Sequence, residues 1–179
     1  MTLEQLVVET RKEFPDFVVK AKVNSKLMLL INRFLLILTF GGMKTFMTTY
    51  TTTMGNTVYV PSQWALWTEQ SKVRILRHER IHMRQAKKYT RLLFSFLYLF
   101  VPLPIGYAYF RAKFEMEAYE ETIRAAFEQG GIKAVEDSEF RAHIINQFTG
   151  PAYLWMMPDR VKMFSWYTKT VAKLESETT

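Results

Sequence analysis

Two of the three histidines in this chain lie four residues apart, and a glutamate directly follows the first of them. The stretch reads His78-Glu79-Arg80-Ile81-His82, an H-E-x-x-H pattern. On an α-helix, positions i and i+4 lie on one face, so both imidazoles can reach a single metal ion. Glu79 lies about 100° round the helix from His78, where its carboxylate can reach a water on that metal. The pattern therefore predicts a Zn²⁺ site in which Glu79 is general base and then general acid.

The same residues have an alternative interpretation, a charged helix face that carries two histidines and no metal, because short motifs also arise by chance. A zinc site needs a third protein ligand, and a thiolate is excluded because the chain has no cysteine. Neither the glycine nor the third histidine of the longer zincin pattern follows His82. The remaining options are His143 and the carboxylates of the stretch FEMEAYEET, which are Glu115, Glu117, Glu120 and Glu121.

With these motifs the chain resembles the gluzincin group of zinc metallopeptidases, which pair H-E-x-x-H with a downstream helix carrying E-x-x-x-D or E-x-x-A-D. Residues 115–119, EMEAY, match E-x-x-A. The combination of H-E-x-x-H-x-x-Q and E-x-E-A-Y is also similar to small metallopeptidase-like proteins of bacteria and their phages. The resemblance covers roughly residues 50–125. It implies a zincin-like fold, a zinc ion held by His78, His82 and Glu115, and peptide hydrolysis through a zinc-activated water.

Tyr119 is a departure from the gluzincin pattern, because it stands where the aspartate of that pattern orients a metal-bound histidine. Glu117, Gln85 or a backbone carbonyl could supply the hydrogen bond instead. Glu117 is also the rival of Glu115 as third ligand. The two side chains leave a helix about 200° apart, so they cannot both bind one ion.

Two further features concern the substrate. Peptide hydrolysis requires a donor to the developing oxyanion, for which His143 and Tyr153 are the candidates. A surface histidine and a packed tyrosine are the alternative interpretations of these two residues. The resemblance also implies that an extended peptide or protein substrate pairs with the stretch GNTVYVP, because gluzincins hold substrate by addition to an edge strand.

The elements that must position these residues are indicated by caps, turns and periodicity. A β-hairpin is predicted between residues 44 and 61, with Gly55-Asn56 as its turn. The sequence predicts an α+β, mainly α, zincin-like domain over residues 1–179, with a metal-site core over about residues 45–130. Helices are predicted over residues 2–13, from the cap Ser25 to about Leu38, over 71–88, from Leu92 to about Val101, over 111–128, over 137–148 and over 159–174, with the last five residues frayed.

Composition and charge limit the other classes of function. The apolar content of 49% argues against disorder. The net charge of +7 comes without a nucleic-acid-binding module, so no specific nucleic acid is expected as a partner. The first residues do not form a signal peptide, and the absence of cysteine fits a cytoplasmic or phage-associated protein.

Two apolar stretches are candidates for membrane spans, and neither favours membrane contact. Residues 27–40 are short for a span and include Asn32 and Arg33. Residues 92–110 carry no charge, but Pro102, Pro104 and Gly106 interrupt their second half. A helix followed by a buried turn is therefore favoured over a span.

The sequence as a whole predicts a zinc metallopeptidase. A non-catalytic structural or binding protein that keeps the zincin fold, for example a phage particle component, is the alternative, although such a role would not need Glu79. A basic protein that binds nucleic acid or a lipid surface is the third hypothesis, and it predicts an affinity that falls steeply with salt.

Overall fold

The structure is a computed structural model, and it describes residues 1–90, 94, 109–150, 157 and 159–178. Six long helices and a three-stranded sheet lie in these ranges, which confirms the expected α+β, mainly α fold. The helices are α1 (Leu3–Glu13), α2 (Lys26–Leu38), α3 (Glu69–Tyr89), α4 (Tyr109–Glu136), α5 (Ser138–Thr149) and α6 (Arg160–Thr178), and the strands are β1 (Val18–Ala21), β2 (Thr52–Met54) and β3 (Thr57–Val60).

The chain divides into two compact units, Met1–Met83 and Arg84–Thr179. The core of the first unit is formed by α1, the turn that follows it, β3 and α3 as far as Met83. Arg80 on α3 also donates from Nε and Nη2 to Glu13 on α1, at 3.0 and 2.9 Å. These contacts fix the part of α3 that carries the H-E-x-x-H residues. The buried side chains of this core are Leu6, Phe14, Phe17, Val58, Val60, Val73, Leu76 and Met83.

The sheet has the strand order β1-β3-β2. The predicted hairpin is confirmed: β2 and β3 pair antiparallel around Gly55-Asn56, and Gly55 adopts a φ of +60°. β1 pairs with β3 in parallel, with Val18 opposite Thr57. The central strand β3 is therefore paired on both sides. The expectation that GNTVYVP pairs with substrate as an edge strand is wrong for this reason, and the edge strands are β1 and β2.

The helix ends follow local signals, with one shift. Ser25 Oγ accepts from the Met28 backbone N–H at 3.3 Å and caps α2 as expected. α3 begins two residues before the predicted position. Thr68 caps it in place of Ser71, since Thr68 Oγ1 accepts from the Ser71 N–H at 3.2 Å. The full H-E-x-x-H pattern lies well inside this helix.

The second unit packs α4, α5 and α6 around a core of its own, with Ile123, Ile144, Phe148 and Tyr167 among its buried side chains. α4 loses helical geometry at Gly131, where φ is +65° and ψ is −162°, so the chain breaks at the predicted Gly-Gly stop but resumes as a helix to Glu136. α6 continues to Thr178. The expected fraying after residue 174 is wrong in the described residues, where Glu177 accepts from Arg124 at 2.8 Å.

In the ranges that the structure covers, no helix combines the length and apolar character that a membrane span requires. Apart from Phe94, the residues of the helix predicted from Leu92 to about Val101, and of the proline turn after it, lie outside the described residues.

Candidate metal centre

His78 and His82 lie on one face of α3, one turn apart, as the spacing predicted. Their Nε2 atoms are 3.1 Å apart, and the rings meet edge to face with centroids 4.8 Å apart. Two nitrogen ligands at 2.0–2.1 Å from a tetrahedral zinc ion lie about 3.3 Å from each other. The separation of the two Nε2 atoms therefore fits two ligands of one ion. His82 is buried and His78 is partly buried, so the pair is largely shielded from bulk water.

Glu115 on α4 completes a group of three with these histidines. Ligand-capable atoms of His78, His82 and Glu115 all lie within 4.8 Å of one another. Glu115 is only 1% exposed. Carboxylates are rarely found so deep without a cation or hydrogen-bond donors beside them, because burying a charge is costly. Two imidazoles and a carboxylate are a donor set that suits zinc.

Gln85, one turn beyond His82, connects α3 to α4. Its side chain is buried, and Nε2 donates to the Phe114 carbonyl at 3.0 Å and to Glu117 Oε2 at 2.9 Å. Glu117 is exposed and bonded to Gln85, and it is not a member of the group of three. Of the two rivals for third ligand, the structure thus places Glu115 beside the histidines.

Glu79 is buried next to the histidine pair and is bonded to the edge of the sheet. Thr53 Oγ1 on β2 donates to Glu79 Oε2 at 2.6 Å. Hydrogen bonds to an ionised carboxylate are short and strong, so this contact fixes the orientation of the carboxylate. Sequence reasoning did not identify Thr53, because its partner lies 26 residues away on another element.

Lys22 is a second residue that sequence reasoning missed. It is fully buried, Nζ donates to the Phe46 carbonyl at 2.8 Å, and Nζ lies 3.6 Å from the centroid of the Phe46 ring. Burial lowers the pKa of Lys22 to about 7, while the negative charge of Glu79 acts in the opposite direction. Nothing in the stretch VVKAKVN distinguishes Lys22 from the exposed Lys20, so no sequence signal could have found it.

Of the other residues that the sequence singled out, those that the structure describes do not join the group. Tyr119 is buried in the core of the second unit, with its ring centroid 5.3 Å from that of Phe148. His143 lies on α5 with an exposed side chain. Tyr153 lies outside the described residues. The assignment of His143 or Tyr153 as oxyanion donor stays a prediction.

Comparisons with models of protein families, with curated proteins and with solved structures give no match for this chain. Its function is therefore argued from the residues themselves.

Proposed function

We propose that the chain is a zinc-dependent metallopeptidase in which His78, His82 and Glu115 hold the ion and Glu79 is the general base. The observation that carries the proposal is the approach of the three ligand-capable side chains to within 4.8 Å of one another. Three protein ligands leave a fourth position open, which is typical of catalytic rather than structural zinc sites. Magnesium and calcium prefer sites made of oxygen alone, so the two imidazoles favour zinc.

A bound zinc ion would act as a Lewis acid and lower the pKa of water to near 7. Glu79 would take a proton from the water that attacks the peptide carbonyl carbon, and would give that proton to the amine that leaves when the C–N bond breaks. Thr53 donates a hydrogen bond to Oε2 of Glu79, so we assign proton transfer to Oε1 of the same carboxylate. Burial of Glu79 keeps bulk water from competing for that proton.

An extended peptide is the form of substrate that this arrangement favours. β2 pairs only with β3 in the sheet of the described residues, so its other edge offers backbone groups to a peptide. Because Thr53 belongs to β2 and bonds to Glu79, a peptide added to this edge would run beside the general base. The substrate strand is thus assigned to β2, in place of the central β3.

Zinc content and peptide hydrolysis, measured on the same preparations, test the proposal. Zinc is quantified by mass spectrometry, and hydrolysis is followed with a library of quenched fluorescent peptides. Glu79→Gln should bind zinc like the wild type and lose at least about a hundredfold in kcat. Glu115→Gln should lose zinc, whereas the matched variant Glu117→Gln should keep both zinc and activity.

Three outcomes would contradict parts of this assignment. Wild-type protein that binds no zinc overturns the metal site. Loss of zinc in Glu117→Gln but not in Glu115→Gln overturns the ligand set. A wild type that binds zinc and cleaves no peptide would instead support the structural alternative, a protein that keeps the site without turnover.

A further inference from the structure

α2 carries a stripe of large apolar side chains on its exposed face. At 100° per residue, Leu27, Leu30, Phe34 and Ile37 fall within an arc of about 80°. They are 44%, 64%, 62% and 77% exposed, respectively. Met28 leaves the helix on the opposite side and is fully buried. α2 is therefore apolar on both sides, and in the described part of the chain the side of Met28 is buried while the side of the stripe is exposed.

The stripe continues past the end of the helix to Phe40, which is 99% exposed. Phe40 has a φ of +50°, a left-handed conformation that is energetically costly for a residue other than glycine. Gly41 follows with a φ of +82° and closes the helix end through a 2.7 Å bond to the Leu36 carbonyl. The chain thus directs an aromatic ring outward beside the stripe at an unfavourable backbone position. Transfer of this ring to an apolar environment would offset that cost.

The charged residues of the chain segment that contains α2 have one sign. No aspartate or glutamate occurs between Asp16 and Glu69. On the helix, Lys26 and Arg33 leave the axis about 40° and 60° to one side of Leu30, so they border the stripe. The exposed cations of this segment are Lys20, Lys26, Arg33 and Lys44.

We propose that α2 binds the surface of an anionic lipid bilayer, with the stripe and Phe40 inserted among the headgroups and with Lys26, Arg33 and Lys44 in contact with lipid phosphates. Thirteen helical residues extend about 20 Å, which is too short to cross a hydrocarbon core of about 30 Å. The helix would therefore lie in the plane of the interface, the position typical of apolar faces bordered by lysine and arginine. The proposal goes beyond the peptidase function and does not depend on the metal group.

A lipid surface fits this face better than the other partners considered. If the stripes of two copies packed on each other, Lys26 and Arg33 of each copy would meet like charges with no acidic residue in the segment to compensate. A nucleic acid would neutralise the cations but would leave the apolar stripe in water. An anionic bilayer would both remove the stripe from water and neutralise the cations beside it.

Cosedimentation with vesicles tests the proposal, using phosphatidylcholine alone and phosphatidylcholine mixed with phosphatidylglycerol, each at low and high salt. The wild type should bind the mixed vesicles at least tenfold more tightly, and salt should weaken that binding. The double variant Phe34→Ser with Ile37→Ser should lose at least tenfold in affinity, because two exposed apolar side chains are removed. Lys26→Gln with Arg33→Gln should reduce the preference for the mixed vesicles.

The matched control is Val161→Ser with Phe164→Ser on α6, an apolar pair of the same spacing that is 79% and 48% exposed. It should bind vesicles like the wild type. Equal losses in the control and in the α2 variant would overturn the proposal, as would equal binding to both kinds of vesicle or binding to neither. A dimer that dissociates in Phe34→Ser with Ile37→Ser, without vesicle binding by the wild type, would overturn it in favour of a second copy. Circular dichroism checks that each variant is folded.

Discussion

Glu79 interacts with two residues that lie outside its own motif. Thr53 donates a hydrogen bond to its carboxylate, and the negative charge of Glu79 raises the pKa of Lys22 against the larger lowering effect of burial. The H-E-x-x-H pattern specifies the proposed general base and the two histidines, but it contains neither Thr53 nor Lys22. A hydrogen bond to one carboxylate oxygen of Glu79 fixes the direction in which the other oxygen can exchange a proton. We therefore assign Thr53 a positioning role.

Thr53→Val tests that role, because the change removes the hydroxyl and keeps the shape of the side chain. We expect kcat to fall about tenfold or more, since hydrogen bonds to charged groups contribute about 1.5–3 kcal/mol. Zinc content should stay at the wild-type level, because Thr53 is not a ligand in the proposed site. Thr53→Ser should restore most of the activity. A valine variant with wild-type kcat, or one that loses zinc, would contradict this assignment.

Lys22 should make the stability of the protein depend on pH. Its pKa is about 7 in the folded chain and 10.5 for an ordinary lysine, so between these values the unfolded chain binds more protons at this side chain. The free energy of unfolding should therefore rise with pH across this window, and the destabilisation should be fully present below pH 7. Between about pH 7 and 9 the gain is on the order of 2 kcal/mol.

Urea denaturation at several pH values measures this dependence in the wild type and in Lys22→Met. The methionine variant should lack the rise, because it has no group to titrate at this position. Lys20→Met, at an exposed lysine of β1, should keep it. If the free energies of unfolding of the wild type and of Lys22→Met changed with pH in the same way, Lys22 would not be the source of the pH dependence.

At the scale of the elements, the sequence predicted what depends on near neighbours. Ser25 caps α2 and Gly55-Asn56 forms the turn of the hairpin, because each signal acts within a few residues. The sequence did not predict β1, because its partner β3 lies far along the chain and a parallel pair has no connecting turn whose residues would indicate it. The burial of Lys22 was missed for the same reason, as it depends on a contact with Phe46.

The sequence favoured Glu115 over Glu117 only through the resemblance to gluzincins. Both glutamates lie on the same predicted helix, and their roles depend on how that helix is rotated about its axis. The rotation is fixed by buried contacts such as that between Gln85 and the Phe114 carbonyl. The sequence nevertheless contained a signal, because Gln85 follows His78 by seven residues and therefore lies close to the same face of α3.

Gln85→Ala should destabilise the protein by about 1–3 kcal/mol, because it removes two hydrogen bonds and leaves the Phe114 carbonyl without this donor. Urea denaturation provides the measurement. Lys113→Ala, at an exposed position of α4, is the matched control and should change the free energy of unfolding by less than about 0.5 kcal/mol. Equal effects of the two substitutions would rule out the proposed role of Gln85 in connecting α3 to α4.

At the scale of the whole molecule, zinc binding should appear as thermal stability. A ligand that binds only the folded chain adds about 2.7 kcal/mol when its concentration is a hundred times Kd. For a chain of 179 residues this corresponds to a rise in Tm of about 5–10 °C. Differential scanning calorimetry with zinc, and then with a chelator, measures the shift.

His82→Ala should abolish the response to zinc, whereas His143→Ala should retain it, because His143 is exposed and outside the group of three. A zinc-dependent rise in Tm that persists in His82→Ala would place the bound ion elsewhere on the chain.

The short edge of β2 has a consequence for solubility. A strand edge that stays open for a substrate also exposes backbone groups that can pair with another copy of the chain and start aggregation. β2 is only three residues long, and the other edge strand, β1, carries the exposed cation Lys20. Both features oppose edge-to-edge association, so the sheet can remain accessible to a peptide while copies of the protein stay apart at high concentration.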